Sequence, residues 1–191
     1  MKTGLFFGSF NPVHIGHLAL ANYIIEYTDL RQVWFVISPQ NPLKKKETLL
    51  SDRDRLEILE LALEEDDRFA ICDIEFRMPK PSYTIDTLTY LTEKYPKKEF
   101  MLIMGSDSLL SFHKWKNHNL IVSRFHRLVY PRLSESEIDY TRHENITFLK
   151  NAPIIEVSSS FIRKALAAGK DIRHFLPPKV YNHIYRYNLY R

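Results

Sequence analysis

The sequence predicts an α/β protein in which a parallel sheet carries helices on both faces. Two observations point there: short segments that are apolar throughout, such as Val33-Trp34-Phe35-Val36-Ile37, and their regular alternation with segments of helical period. A strand with one wet face alternates apolar and polar residues, whereas one that is apolar at every position is covered on both sides. In such a doubly wound, Rossmann-like sheet, ligands lie at the carboxyl ends of the strands, so chemistry is expected in the loops that follow them.

Lys2 to Gly8 is the first expected strand, and Ile15 to Tyr27 follows as a helix with Leu18, Ala21, Asn22 and Ile25 at helical spacing. Gln32 to Ser38 is the second strand. Ser51 and Asp54 resemble a capping box, and Leu56, Leu59, Ala62 and Leu63 continue one face of a helix over about 52 to 65. Phe69 to Ile74 reads as a third strand, Thr84 to Tyr95 as a helix ended by Pro96, and Glu99 to Met104 as a fourth strand ending at Gly105. Helical turns are expected across 106 to 121, a strand at 126 to 130 and a short strand at 146 to 149. Two closing helices take about 159 to 168, with Gly169 at its C′ position, and 178 to 187, opened by Pro177-Pro178. Lys44 to Lys46 and Ser134 to Glu144 are expected loops. With no internal repeat, low-complexity tract or linker, residues 1–191 are expected to form a single domain.

Composition narrows the function classes. With 45% apolar and 26% charged residues, and no apolar run approaching the ~18 residues of a membrane span, no membrane partner is expected. Met1-Lys2-Thr3-Gly4 passes at once into Leu5-Phe6-Phe7, too short for a secretory signal, so the expected location is cytoplasmic. Cys72 is the one cysteine, which excludes a disulfide framework within the chain, and its apolar neighbours predict a buried, inert thiol. The net charge of +4 suits nucleic acid and phosphorylated small molecules alike, but there is neither a basic stripe nor interleaved aromatics, so no nucleic-acid partner is expected. His113, His118, His126, His143, His174 and His183 show no metal-ligand spacing, and no metal held by the protein is expected.

The sharpest feature is Gly8-Ser9-Phe10-Asn11-Pro12-Val13-His14-Ile15-Gly16-His17, between the first strand and the first helix. Gly8 permits a tight turn, Pro12 stiffens the loop, and the helix start presents unpaired N–H groups and a positive dipole end to a phosphate. His14 and His17, three apart, project from one side of the first turn and can donate hydrogen bonds as charge builds on a phosphoryl group. Gly16 removes a side chain that would obstruct a nucleotide. A second string, Val157-Ser158-Ser159-Ser160-Phe161-Ile162-Arg163, sets hydroxyls and free N–H groups at another helix start, with the planar fork of Arg163 one turn in.

Together these strings resemble the two signatures of the nucleotidyltransferase superfamily, His14-Ile15-Gly16-His17 being its H-x-G-H core. Class I aminoacyl-tRNA synthetases carry a similar tetrad, but 191 residues leave little space for their tRNA-binding domains. Further segments resemble the nicotinate-nucleotide adenylyltransferase branch. Pro81-Ser82-Tyr83-Thr84-Ile85-Asp86-Thr87-Leu88 is similar to its acceptor-site helix start, and Met104-Gly105-Ser106-Asp107-Ser108-Leu109 with Trp115-Lys116 to its strand-four loop and ring-stacking aromatic. Pro39-Gln40-Asn41-Pro42-Leu43-Lys44, followed by Arg55, is similar to its basic acceptor-side loop. That family usually carries Gly at Phe7, Asp at Asn11 and His at Leu43. Trp115 is equally placed to be core, Asp107 to cap a helix, and Lys44 to Lys46 to be a solvated loop.

The resemblance implies a nucleotidyltransferase-type fold and transfer of the adenylyl group of ATP, accompanied by Mg²⁺, to nicotinate mononucleotide. It implies catalytic roles for His14, His17 and Arg163. Gly8, Ser9, Phe10, His14, Gly16, His17, Gly105, Asp107, Ser158, Ser159, Ser160 and Arg163 would meet ATP. Asn11, Lys44, Arg55, Tyr83, Thr84, Trp115, Lys116 and Arg132 would meet nicotinate mononucleotide. A homo-oligomer is left open. Two alternatives stand: a sister adenylyl- or cytidylyltransferase acting on nicotinamide mononucleotide or phosphopantetheine, and a non-catalytic nucleotide or nucleic-acid binder.

Overall fold

The computed structural model describes residues 1–39, 49–133 and 143–191. Strands β1 (Lys2–Gly8), β2 (Gln32–Ile37), β3 (Phe69–Cys72), β4 (Glu99–Gly105), β5 (His126–Tyr130) and β6 (Ile146–Phe148) form one sheet in the order β3-β2-β1-β4-β5-β6. Every pairing is parallel, with Gly8 level with Ile37 and Gly105 level with Tyr130 at the carboxyl edge. The helices are α1 (Ile15–Tyr27), α2 (Asp52–Leu63), α3 (Thr84–Lys94), α4 (Ser106–Leu110), α5 (His118–Arg124), α6 (Ser159–Ala167) and α7 (Pro178–Arg186).

Successive side chains leave a strand on opposite faces, and both faces are buried. Phe6, Phe35, Ile37, Met101 and Ile103 enter the core beneath α1, α2, α6 and α7. Leu5, Val36, Phe100, Leu102 and Met104 enter the other core, with Ile85, Leu88 and Leu91 of α3 and Ile121 of α5. Each such leucine, fully withdrawn from water, contributes roughly 1.5–3 kcal/mol, which is why strands apolar at every position are stable only between two helix layers.

The helical turns expected across 106 to 121 are α4, a 3-10 turn at Phe112–Lys114 and α5, which runs on to Arg124. Asn117, left-handed at φ 50°, makes the break before α5. The third strand stops at Cys72, and a 3-10 turn over Ile74–Phe76 turns Glu75 inward. Cys72 itself is 7% exposed and burial pushes its thiol pKa up to about 11, so it stays an inert thiol. Gly169 follows α6 in the left-handed region at φ 66°, as a C′ residue does.

The chain crosses from β1 to β2 on one side and reaches β4 on the other, so the connections after β1 and β4 diverge at the carboxyl edge. The crevice created there is where a doubly wound sheet admits ligands.

Candidate active site

The loop between β1 and α1 is held from three directions through its carbonyl groups. Arg55 of α2 donates to Ser9 O at 2.7 Å, Arg163 of α6 to Asn11 O at 2.8 Å, and Ser159 Oγ to Pro12 O at 2.9 Å. Two strings nearly 150 residues apart in sequence therefore meet in one place, which joins the mouths of α1 and α6. Phe10 anchors the loop from below. Its ring, 2% exposed, packs on Phe6, His17 and Phe35, and a Cβ at Gly8 would lie 2.8 Å from it, so that position accepts only glycine without displacement. Phe10 holds φ at 42°, uncommon for a bulky residue and sustained here by packing on every side of the ring.

His14 and His17 stand with ring centroids 3.7 Å apart and planes 31° apart at the start of α1. The main-chain N–H of His14 donates to His17 Nδ1 at 3.3 Å, which puts the proton of a neutral His17 on Nε2. His14 is 4% exposed, and burial, aided by the charge of Arg132, pushes its pKa down to about 4. Its imidazole is therefore neutral near pH 7, and Nδ1 is buried with no partner within the described residues. Gly16 lies against that ring: a Cβ there would sit 3.1 Å from His14 Nδ1.

At the mouth of α6 each serine has its own task. Ser158 caps the helix by accepting from Phe161 N–H at 3.1 Å, Ser159 ties down Pro12, and Ser160 Oγ accepts from Arg163 Nη2 at 3.2 Å. The first N–H groups of the helix have no preceding turn to bond, so they face outward as donors. Arg163 makes two hydrogen bonds among the described residues, and its Nε has none. Its fork therefore has donors to spare for an anion.

Across the crevice, Gly105 ends β4 where a Cβ would lie 2.4 Å from Asp107 Oδ1 and 3.4 Å from Arg132 Nε. Arg132 is anchored by its N–H to the buried Ser106 Oγ at 3.0 Å, and its guanidinium lies over the Tyr130 ring at 5.3 Å. Arg132 thus lies on the sheet face of Tyr130 and the histidine loop, and its charge reaches His14.

Four of the expected acceptor residues, Tyr83, Thr84, Trp115 and Lys116, gather on the opposite face of the sheet. Lys116 Nζ pairs with Asp86 at 2.8 Å and lies 4.6 Å from the centroid of the Tyr83 ring, which precedes α3 at Thr84. Trp115 is half-buried with its ring centroid 5.2 Å from that of Phe112. A group the sequence reading missed supports this side: the carboxylate of Glu75, 2% exposed, accepts from Ser82 Oγ at 2.9 Å and Thr87 Oγ1 at 2.8 Å, bracketing Tyr83 and Thr84. Nothing local to Glu75 in the sequence marks it, since its partners come from a later loop and helix.

Three expectations change. Arg55 is fully buried and donates to Leu50 O, Ser9 O, Ser38 O, Pro39 O and the Asp52 carboxylate, which uses all five of its N–H groups. It shapes the loops around the crevice and has no donor left for an acceptor. The Asn11 side chain also turns inward, accepting from Leu50 N–H at 3.3 Å and from the Tyr190 hydroxyl at 2.8 Å. Phe10 can offer a nucleotide only its backbone. Leu43 and Lys44 lie outside the described residues. Among the described residues no three His, Cys, Asp or Glu side chains group as metal ligands, and no helix is long and apolar enough to cross a membrane.

The Cytidylyltransferase-like family model matches residues 5–165. A protein of Flavobacterium psychrophilum named "Probable nicotinate-nucleotide adenylyltransferase" is 50% identical over 193 residues, spanning 100% of both chains. One of Bacteroides fragilis with the same name is 50% identical over 183 residues, covering 96% of this chain and 90% of its own. Among solved structures, Plasmodium falciparum nicotinic acid mononucleotide adenylyltransferase complexed with NaAD superposes with a TM-score of 0.84 over 99% of this chain and 97% of that one. At 19% identity that likeness is one of fold. The Plasmodium falciparum enzyme complexed with APC gives a TM-score of 0.78 at 20% identity, covering 99% of this chain and 96% of that one.

Proposed function

This chain belongs to the cytidylyltransferase-like family and, within it, to the nicotinate-nucleotide adenylyltransferases, and from that membership we propose that it transfers the adenylyl group of ATP to nicotinate mononucleotide. The products are nicotinate adenine dinucleotide and pyrophosphate, a step of NAD biosynthesis. The observation that carries the reading is the junction of the α1 and α6 mouths through Ser159–Pro12 and Arg163–Asn11, which gathers two histidines, an arginine fork and two helix starts at one crevice.

Adenylyl transfer needs an acceptor oxygen in line with the α-phosphorus and an outlet for the charge that gathers on the departing pyrophosphate. No covalent nucleophile is required, so alignment and charge stabilisation are the protein's whole contribution. His17 donates through Nε2–H, neutral His14 donates a hydrogen bond without a full charge, and the spare donors of Arg163 with the first N–H groups of α6 hold the triphosphate. Arg132, beside His14, adds positive charge on the side of Gly105 and Asp107. The site's donors are hydrogen-bonding and cationic groups that suit phosphate oxygens, so Mg²⁺ enters as part of the ATP substrate and neutralises charge on it. Tyr83, Thr84, Trp115 and Lys116 receive the pyridine end of the acceptor, with Trp115 stacking on the ring. Both substrates are nucleotides of intracellular metabolism, and the proposed compartment is the cytoplasm.

Pyrophosphate release from Mg·ATP, measured with nicotinate mononucleotide, nicotinamide mononucleotide and phosphopantetheine in turn, tests the reading. Nicotinate mononucleotide should be the best acceptor, and His17→Ala should lower its turnover at least ~100-fold, the scale for one preorganised donor. A different best acceptor, or near-normal turnover in folded His17→Ala protein, would overturn it.

A further inference from the structure

After α7 the chain turns back on itself. Asn188 and Tyr190 both take left-handed backbone, at φ 53° and 65°, and Leu189 N–H bonds Ile184 O at 3.0 Å. Leu189 and Tyr190 are thereby laid against the core of the α1, α2, α6 and α7 face. The Tyr190 hydroxyl then donates to Asn11 Oδ1 at 2.8 Å, across 179 residues of sequence.

Asn11 is the point where several restraints converge. Its side-chain oxygen takes the Tyr190 hydroxyl and Leu50 N–H, while its main-chain oxygen takes Arg163 Nη1 at 2.8 Å. It stands three residues before His14, in a loop whose neighbouring carbonyls are fixed by Arg55 and Ser159. Rotation of Asn11 would move the anchor of the Arg163 fork and the approach to His14 together. The Arg163 and Arg55 guanidinium groups both lie near enough to the phenol to favour its ionised form, although burial outweighs them and raises its pKa. Tyr190 is therefore a neutral O–H donor in this setting.

We propose that Tyr190 is a positioning residue for adenylyl transfer: through its hydrogen bond to Asn11 it holds the His14 loop and the Arg163 fork in mutual register. This rests on the adenylyltransferase reading and extends it to a segment outside the residues proposed to meet either substrate. Misplacement of reacting groups by a fraction of an ångström reduces the rate of an aligned reaction, while binding contacts formed elsewhere persist. The expected signature is a loss in kcat with the acceptor KM little changed, because the pyridine side of the site lies on the other face of the sheet.

The test is a double-mutant cycle in the full chain with Tyr190→Phe, Asn11→Ala and the pair. Tyr190→Phe should lower kcat about tenfold, equal to about 1.4 kcal/mol, with the acceptor KM within about twofold. In the Asn11→Ala background the same change should lower kcat by less than about twofold, since the bond is already gone. Leu189→Ala, which removes packing and spares the hydroxyl, should lower the melting temperature and leave kcat at 25 °C near that of the parent. Wild-type kcat in Tyr190→Phe, losses that multiply in the pair, or an equal kcat loss in Leu189→Ala would overturn the proposal. Absence of pyrophosphate release in the wild-type protein would instead refute the adenylyltransferase reading.

Discussion

His14 keeps its imidazole neutral because burial and the Arg132 charge push its pKa down to about 4, from 6.5 in the absence of those surroundings. As pH falls through 6.5 the unfolded chain binds a proton that the folded chain does not take until about pH 4, so stability from this group is complete above 6.5 and is lost toward 4. The difference is about 3 kcal/mol. Between pH 7 and pH 4, the urea-unfolding free energy of His14→Ala should fall by about 3 kcal/mol less than that of the wild type, and parallel decreases would show that His14 is not held neutral. The two arginines of the loop separate cleanly by their donors. Arg163 retains free donors, so Arg163→Lys should raise the KM for ATP and lower kcat while the melting temperature holds, an ammonium being unable to give a two-point contact. Arg55 has none, so Arg55→Lys should lower the unfolding free energy by about 2–4 kcal/mol, read from the urea midpoint, as buried carbonyls of Ser9, Ser38 and Pro39 lose their donors. Unchanged ATP kinetics in Arg163→Lys would make it a loop anchor only.

The strands were legible because a segment buried on both faces is mostly apolar and therefore stands out from its surroundings. Lys2 to Gly8 and His126 to Tyr130 match their expected bounds. The region from 106 to 124 was less legible. Its break depends on Asn117 adopting left-handed backbone, and no Gly or Pro in Lys114-Trp115-Lys116-Asn117 announces it. The start of α6 was readable as a cap because Ser158 bonds only three residues ahead. Its cap is also one of the residues proposed to meet ATP. Ser158→Ala should cost about 1 kcal/mol of stability, seen as a lower urea midpoint, and should raise the KM for ATP if the first turn of α6 holds phosphate. A stability loss with unaltered ATP kinetics would confine Ser158 to capping.

Across the whole molecule, the candidate site draws on both faces of the sheet. The phosphate-side groups hang from β1, β5 and α6 over one core, while Tyr83, Trp115 and Lys116 pack over the other, and the carboxyl edge between Gly8 and Gly105 joins them. The histidine and serine strings were legible because each carries its chemistry within ten residues. The inward roles of Arg55, Asn11, Glu75 and Tyr190 were not, since each depends on partners brought together only by folding. The acceptor side makes the sharpest claim about the molecule as a whole: a helix start at Thr84 with Lys116 nearby should favour a carboxylate over an amide. A carboxylate only accepts hydrogen bonds, whereas the amide NH₂ would face donors and leave buried groups unpaired, at about 1–3 kcal/mol each, with loss of charge at a positive helix end adding to it. The deciding measurement is kcat/KM for nicotinate mononucleotide and for nicotinamide mononucleotide at saturating Mg·ATP. A preference of roughly 100-fold or more for the nicotinate form is predicted, and equal values or a preference for the amide would contradict it.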